Sequence, residues 1–207
     1  MIENTIINIF LIIVIILFLI GLIVPMILIK KRGKDPHGTN EGYSLLSKVT
    51  FISILFWLIY ILLKIIFNEA WGSFWTFNLL LSDFLIITGI ITITLGFIFD
   101  VLGMISLGIN FRIELPKEET ELVTSGIYRV MRNPIVFGVF LLVIGTFLMI
   151  PDTFTLAALI FNVVTFNSKA IDEERFLLVR FGKKFEEYKS QVGRYFPIPL
   201  KISNKKE

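Results

Sequence analysis

The sequence predicts an all-α integral membrane protein, with about five transmembrane helices and a cytoplasmic amphipathic helix at its C-terminal end. Three observations predict it. Of 207 residues, 55% are hydrophobic and only 18% are charged, and the mean hydropathy of +0.81 is too high for a soluble domain. The apolar residues gather into runs long enough to cross a bilayer. The basic residues gather into alternate connecting segments.

The first run, residues 5–29, is almost unbroken Ile, Leu, Val and Phe. At about 1.5 Å per residue, roughly 25 helical residues span a hydrocarbon core of about 30 Å. The run lacks a basic leading region and a small-residue cleavage site, which makes it a retained anchor rather than a signal peptide. Residues 49–67 form the second span, with Lys64 placed to snorkel to the interface. Residues 83–107 form the third, and Gly89, Gly96 and Gly103 give it a small-residue face that admits close helix approach. Residues 134–150 and 154 to 170 form the fourth and fifth, joined by Pro151, Asp152 and Thr153. So short a turn makes the two helices antiparallel. Asn162, Thr165, Asn167 and Ser168 on the fifth span indicate a face toward protein or a cavity rather than lipid. From Ile171 the pattern becomes amphipathic, with Phe176, Leu177, Val179, Phe181, Phe185 and Tyr188 among charges and a break expected at Gly182. That segment lies along the membrane surface or folds back onto the bundle. The chain thus divides into N-terminal spans (1–110), a region holding the polar motifs, the hairpin and the amphipathic helix (111–200), and a basic tail (201–207).

Charge sets the expected orientation. Lys30, Lys31, Arg32, Lys34 and Lys48 follow the first span, whereas the connection around Glu69 holds no Lys or Arg. Arg112, Lys117, Arg129 and Arg132 precede the fourth span, the turn at Asp152 holds no basic residue, and the tail is rich in lysine. This alternation puts the N-terminus outside and the C-terminus in the cytoplasm, with Trp71 and Trp75 as an outer aromatic belt. The net charge of +3 and the isoelectric point near 9.1 therefore report topology, and no nucleic-acid partner is expected. With no Cys and one His, the chain has no disulfide, no thiol nucleophile and no Cys/His metal site. His37 reads as a solvated loop residue. No Gly-rich phosphate loop follows a strand, which excludes a Rossmann dinucleotide site.

Two polar concentrations interrupt the apolar pattern. The first, SGIYRVMRNPIVFG at residues 125–138, enters the fourth span. Asn133 occupies an N-cap position, where its side chain can accept from a free backbone N–H, and Pro134 the first helical position. For Tyr128, Arg129 and Arg132 two readings stand open: snorkelling arginines at an ordinary helix entry, or an anion site at a helix N-terminus. The second concentration, NSKAIDEERF at residues 167–176, begins where the fifth span leaves the membrane. There Lys169 has Asp172 and Glu173 at helix-surface spacing. Because the hairpin returns the chain to the same side, the two concentrations meet at the cytoplasmic face. One supplies a helix start suited to an anion, the other carboxylates suited to a cation or to ribose hydroxyls.

Taken together, LVTSGIYRVMRNPIVFG, the apolar hairpin and DEERFLLVRFGKKFEEYKSQVGRYFP resemble the C-terminal catalytic region of the isoprenylcysteine carboxyl methyltransferases and the related membrane phospholipid methyltransferases. That family's pattern is a Gly-x-Tyr turn, Arg-His-Pro, a glutamate pair and a Phe-Gly-x-x-(Tyr/Phe)-x-x-Tyr tail. The resemblance covers residues 122–197. It implies an S-adenosyl-L-methionine-dependent methyltransferase whose lipophilic acceptor, an isoprenylcysteine-type carboxylate foremost, enters sideways between the spans. By this resemblance Ser125, Gly126, Ile127, Tyr128, Arg132, Asn133, Pro134 and Glu173 contact the cofactor. Glu174 and Lys169 form the catalytic pair, and Arg129 and Arg175 are further cations for the acceptor. The chain departs from the pattern at Asn133 (His in the family), Val136 (often Tyr) and Lys169 (Arg). Asn hydrogen-bonds but carries no charge, and Lys lacks the bidentate fork of Arg. The alternatives are a lipid amine or thiol acceptor, an NADPH-dependent membrane reductase, and a non-catalytic relative.

Overall fold

In lipid, backbone N–H and C=O groups find no partner but each other, so an apolar chain crosses a membrane as helices or a closed barrel. The computed structural model, which describes residues 4–31, 45–67, 76–77, 82–108 and 121–197, takes the helical solution. Its helices are α1 (Asn4–Lys31), α2 (Leu45–Phe67), α3 (Asp83–Leu107), α4 (Pro134–Met149), α5 (Thr153–Phe181) and α6 (Lys183–Gln191), with a 3-10 turn over Gly126–Arg129. Four of them, α1, α2, α3 and α5, are long and apolar enough to cross a membrane. The chain is a multi-pass membrane protein.

Two expectations change. The fourth predicted span is a helix of 16 residues, about 24 Å long and short of a full hydrocarbon core. It is instead sheltered by protein, with Val139, Leu142, Val143 and Met149 all buried. The fifth span and the first part of the amphipathic segment are one helix of 29 residues. The Glu, Arg and Leu residues after Ala170 are good helix formers, and nothing breaks the helix before Gly182. That glycine has φ +51°, a left-handed conformation that suits Gly at a helix end.

Glycine also sets the closest packing. A Cβ on Gly96 would fall 2.8 Å from the carbonyl oxygen of Gly138, and one on Gly138 would fall 2.7 Å from that of Gly96. Gly89 and Gly145 match in the same way, at 2.7 Å each. The small-residue face of α3 is therefore filled by α4 of the same chain, backbone against backbone, rather than left open for a second copy. Around this pair the core gathers Leu11 and Val14 of α1, Trp57 and Ile61 of α2, and Ile93 of α3.

Polar pairs tie the remaining helices. Ser53 Oγ donates to Asn162 Oδ1 at 2.9 Å, and Asn162 Nδ2 donates to the Ala158 carbonyl at 2.8 Å. Asn162 and Thr165 are buried as expected, and Asn167 accepts from the Tyr195 hydroxyl at 3.0 Å. Ser168 Oγ donates back to the Val164 carbonyl at 2.9 Å. At the hairpin end Asp152 and Thr155 form a capping box on α5. Tyr60 donates to the same carboxylate, and Lys64 lies 4.0 Å from it. Trp71, Trp75, His37, Arg112, Lys117 and the basic tail lie outside the described residues.

Gly145→Val should destabilise the protein by about 1–3 kcal/mol through overpacking, read as a fall of several degrees in thermal midpoint in detergent. Gly21→Ala, where the new methyl meets only the Met104 terminus at 3.6 Å, should leave the midpoint unchanged.

Candidate active site

The polar face begins at Gly126, whose φ of +61° and whose tight approach to Ser106 leave no room for a side chain. Ile127 N donates to Ser106 Oγ at 3.3 Å, which docks the 3-10 turn on the end of α3 and buries Tyr128. The next residues run beside the C-terminal segment. Arg132 N donates to the Gly193 carbonyl at 2.9 Å and Asn133 N to that of Arg194 at 3.0 Å.

One carboxylate ties these segments to α5. Glu174 Oε1 accepts from Arg132 Nε at 3.2 Å, Arg132 Nη2 at 3.0 Å, Asn133 Nδ2 at 3.2 Å and Arg194 Nε at 2.9 Å. Its Oε2 accepts from Arg194 Nη2 at 2.9 Å. Arg132 Nη1 turns to the carbonyls of Val192 and Lys189. Arg132 and Glu174 are both almost fully buried as side chains, and removing one partner of such a pair costs about 3–5 kcal/mol. The bond to Glu174 raises Arg194 above the usual guanidinium range.

This network corrects the reading of Asn133. Its carbonyl opens α4 by accepting from Phe137 N at 3.0 Å, but its side chain makes no cap. A bond to a charged carboxylate is stronger than one to a neutral amide, so the amide turns to Glu174. Arg194 carries no mark of a site in the sequence, where no acid stands near it. Its only signal is its place in the GRYFP tail of the resembling segment.

A cavity of about 460 Å³ opens above the network, within the range of small-molecule sites. Its polar end is walled by Tyr128, Arg132, Asn133, Lys169, Glu173 and Glu174. Its apolar end lies between α1, α2 and α3, among Leu17, Phe18, Phe51, Ile54 and Met104. Leu17, Phe51 and Val101 line the cavity and yet are 47%, 61% and 51% exposed, so its wall is also the lipid-facing surface. α6 closes the polar end through Phe185, which is buried, and Tyr188, whose hydroxyl donates to the Tyr128 carbonyl at 2.7 Å. Burial pushes the Tyr188 phenol up to about 12.

The cavity does not receive every expected contact. Ser125, Gly126, Ile127 and Pro134 are absent from its wall; Ser125 opens the 3-10 turn by accepting from Tyr128 N at 3.2 Å, Gly126 and Ile127 dock that turn on Ser106 of α3, and Pro134 starts α4. Arg129 is exposed. Arg175 pairs with Asp172 at 3.1 Å with its side chain 76% exposed, because one residue past Glu174 is about 100° around the helix. The cavity does receive Asp100 of α3, which the sequence motifs do not include. Its signal is that of a lone acid in an apolar span. Arg132, the arginine in the wall, is already committed to Glu174 and two carbonyls.

A sequence profile of the phospholipid methyltransferase family matches residues 84–184, from α3 to the start of α6. The chain is also 31% identical over 139 residues to the Protein-S-isoprenylcysteine O-methyltransferase of Dictyostelium discoideum. That alignment covers 65% of this chain and 59% of the relative.

Replacing Arg194 by Gln should loosen the C-terminal segment. Amide exchange at Arg132 and Asn133, whose N–H groups bond that segment, should accelerate by roughly tenfold or more, the equivalent of one charge-assisted hydrogen bond.

Proposed function

The chain belongs to the phospholipid methyltransferase family through residues 84–184, and from that premise we propose that it is an S-adenosyl-L-methionine-dependent membrane methyltransferase acting on the carboxylate of a lipophilic, isoprenylcysteine-type acceptor. The observation that carries this reading is the two-ended cavity, polar at the network and apolar between α1, α2 and α3. The residues present fit the cofactor: a carboxylate (Glu173), an ammonium (Lys169), an amide (Asn133) and a phenol (Tyr128) border one space, as a zwitterion with ribose hydroxyls requires. Tyr128, Asn133 and Glu173 would hold it. When bound it supplies an electrophilic methyl group on a sulfonium.

Lys169 shares the wall and would steady the acceptor carboxylate as a point charge. Glu174, with five hydrogen bonds accepted, acts by positioning Arg132 and Asn133 rather than by taking a proton. Phe185 and Tyr188 exclude water from the polar end, and the exposed apolar wall takes the lipid tail. The name of the Dictyostelium relative supports an oxygen acceptor. The cavity includes Met26 near the end of α1 and Ser47 near the start of α2, the end where Lys30, Lys31 and Lys48 lie, which supports a cytoplasmic site.

The test is incorporation of tritiated methyl from S-adenosylmethionine into S-farnesylcysteine and into its carboxamide by purified protein. The expected result is a base-labile ester on the first and none on the second; label in a lipid amine instead would replace the carboxylate, and no incorporation would end the reading. Lys169→Leu should raise KM for S-farnesylcysteine roughly tenfold while leaving S-adenosylhomocysteine affinity within about threefold.

A further inference from the structure

Asp100 has no part in the chemistry above. It stands on α3 about two turns before that helix ends at Leu107, and it is 5% exposed. Its Oδ1 has no hydrogen-bond partner, and no ion pair reaches it among the described residues. On one side that same Oδ1 lies so close to Gly138 that any Cβ there would overlap it. On the other the carboxyl faces the cavity, whose wall it shares with Phe97, Met104, Val139 and Tyr128.

A carboxyl in apolar surroundings is costly without a partner, and an ionisable side chain within a span that faces a cavity marks a ligand path. Arg132 cannot serve, because its guanidinium is held by Glu174, Lys189 and Val192. Four acids, Asp100, Glu121, Glu173 and Glu174, outnumber Arg132 and Lys169 in the wall, which disfavours a free anion. The rings of Tyr128 and Phe97 in the same wall suit a weakly hydrated organic cation.

We propose that Asp100 is the counter-ion for an organic cation, an ammonium or sulfonium centre, bound in the cavity beside Tyr128. Two sources carry that chemistry: the methyl donor, with a sulfonium and an ammonium, and a lipophilic amine entering from the lipid side. The donor source rests on the methyltransferase reading; the amine source does not. In either case an acceptor carboxylate is kept away from Asp100 and toward Lys169.

The test is calorimetric titration of the full chain in lipid nanodiscs, wild type against Asp100→Asn, with S-adenosylmethionine, S-adenosylhomocysteine, dodecylamine and the neutral control dodecanol. Asn keeps the shape beside Gly138; should that variant fail to fold, Asp100→Ala is read in the same way. At least a tenfold loss for a cationic ligand is expected, with dodecanol within twofold. Loss for S-adenosylmethionine alone assigns the sulfonium, loss for both adenosyl compounds assigns the donor ammonium, and loss for dodecylamine assigns a lipid amine. Equal affinities for all three cations in wild type and variant, or no binding of any of them to the wild type, overturn the proposal. If neither adenosyl compound binds the wild type, the methyltransferase reading falls, and the dodecylamine comparison alone decides the role of Asp100.

Discussion

A single carboxylate, Glu174, holds together three parts of the chain that are far apart in sequence. It joins α5 to the entry of α4 through Arg132 and Asn133 and to the C-terminal segment through Arg194. Without it two guanidinium groups would face each other in a poorly hydrated space, an arrangement that charge repulsion and desolvation both oppose. The packing of the C-terminal part of the chain depends on that junction. Gly193 runs beside Met131, Tyr188 reaches the Tyr128 carbonyl, and Phe185 closes against the bundle. The polar end of the cavity exists because α6 is held there.

The second constraint is the approach of α3 to α4. Lipid offers no hydrophobic drive between helices, so association depends on close packing and on polar pairs. The matched glycines Gly96 and Gly138, and Gly89 and Gly145, supply the first. Ser53 and Asn162 supply the second between α2 and α5. Close packing of α3 on α4 also brings Asp100 and the 3-10 turn to one side of the cavity, so the scaffold and the site share a cause.

Much of this is legible in the sequence because it is local. Runs of apolar residues, the short turn at Asp152, the break at Gly182 and the buried face marked by Asn162 and Thr165 all come from composition and period. The meeting of the two polar concentrations comes from the hairpin alone. The rest is set by partners distant in sequence. Asn133 carries the local signature of a cap, but its amide answers a carboxylate 41 positions away. Arg194 has no acid nearby in sequence and finds Glu174 only in the fold. Arg175 and Glu174 are neighbours in the chain, yet helical rotation sends one to the surface and the other inward. The glycines of α3 announce a close contact without saying that α4 makes it.

On the proposed function, the central claim is that the Glu174 junction builds the end of the cavity that receives the methyl donor. Calorimetric titration of purified wild type and Glu174→Gln with S-adenosylhomocysteine tests it most directly, since Gln keeps the side-chain shape and removes the charge. Saturable binding to the wild type is expected, with a loss of about tenfold or more in the variant, the least expected when a buried charge pair is broken. Equal affinity in the two proteins would contradict the claim.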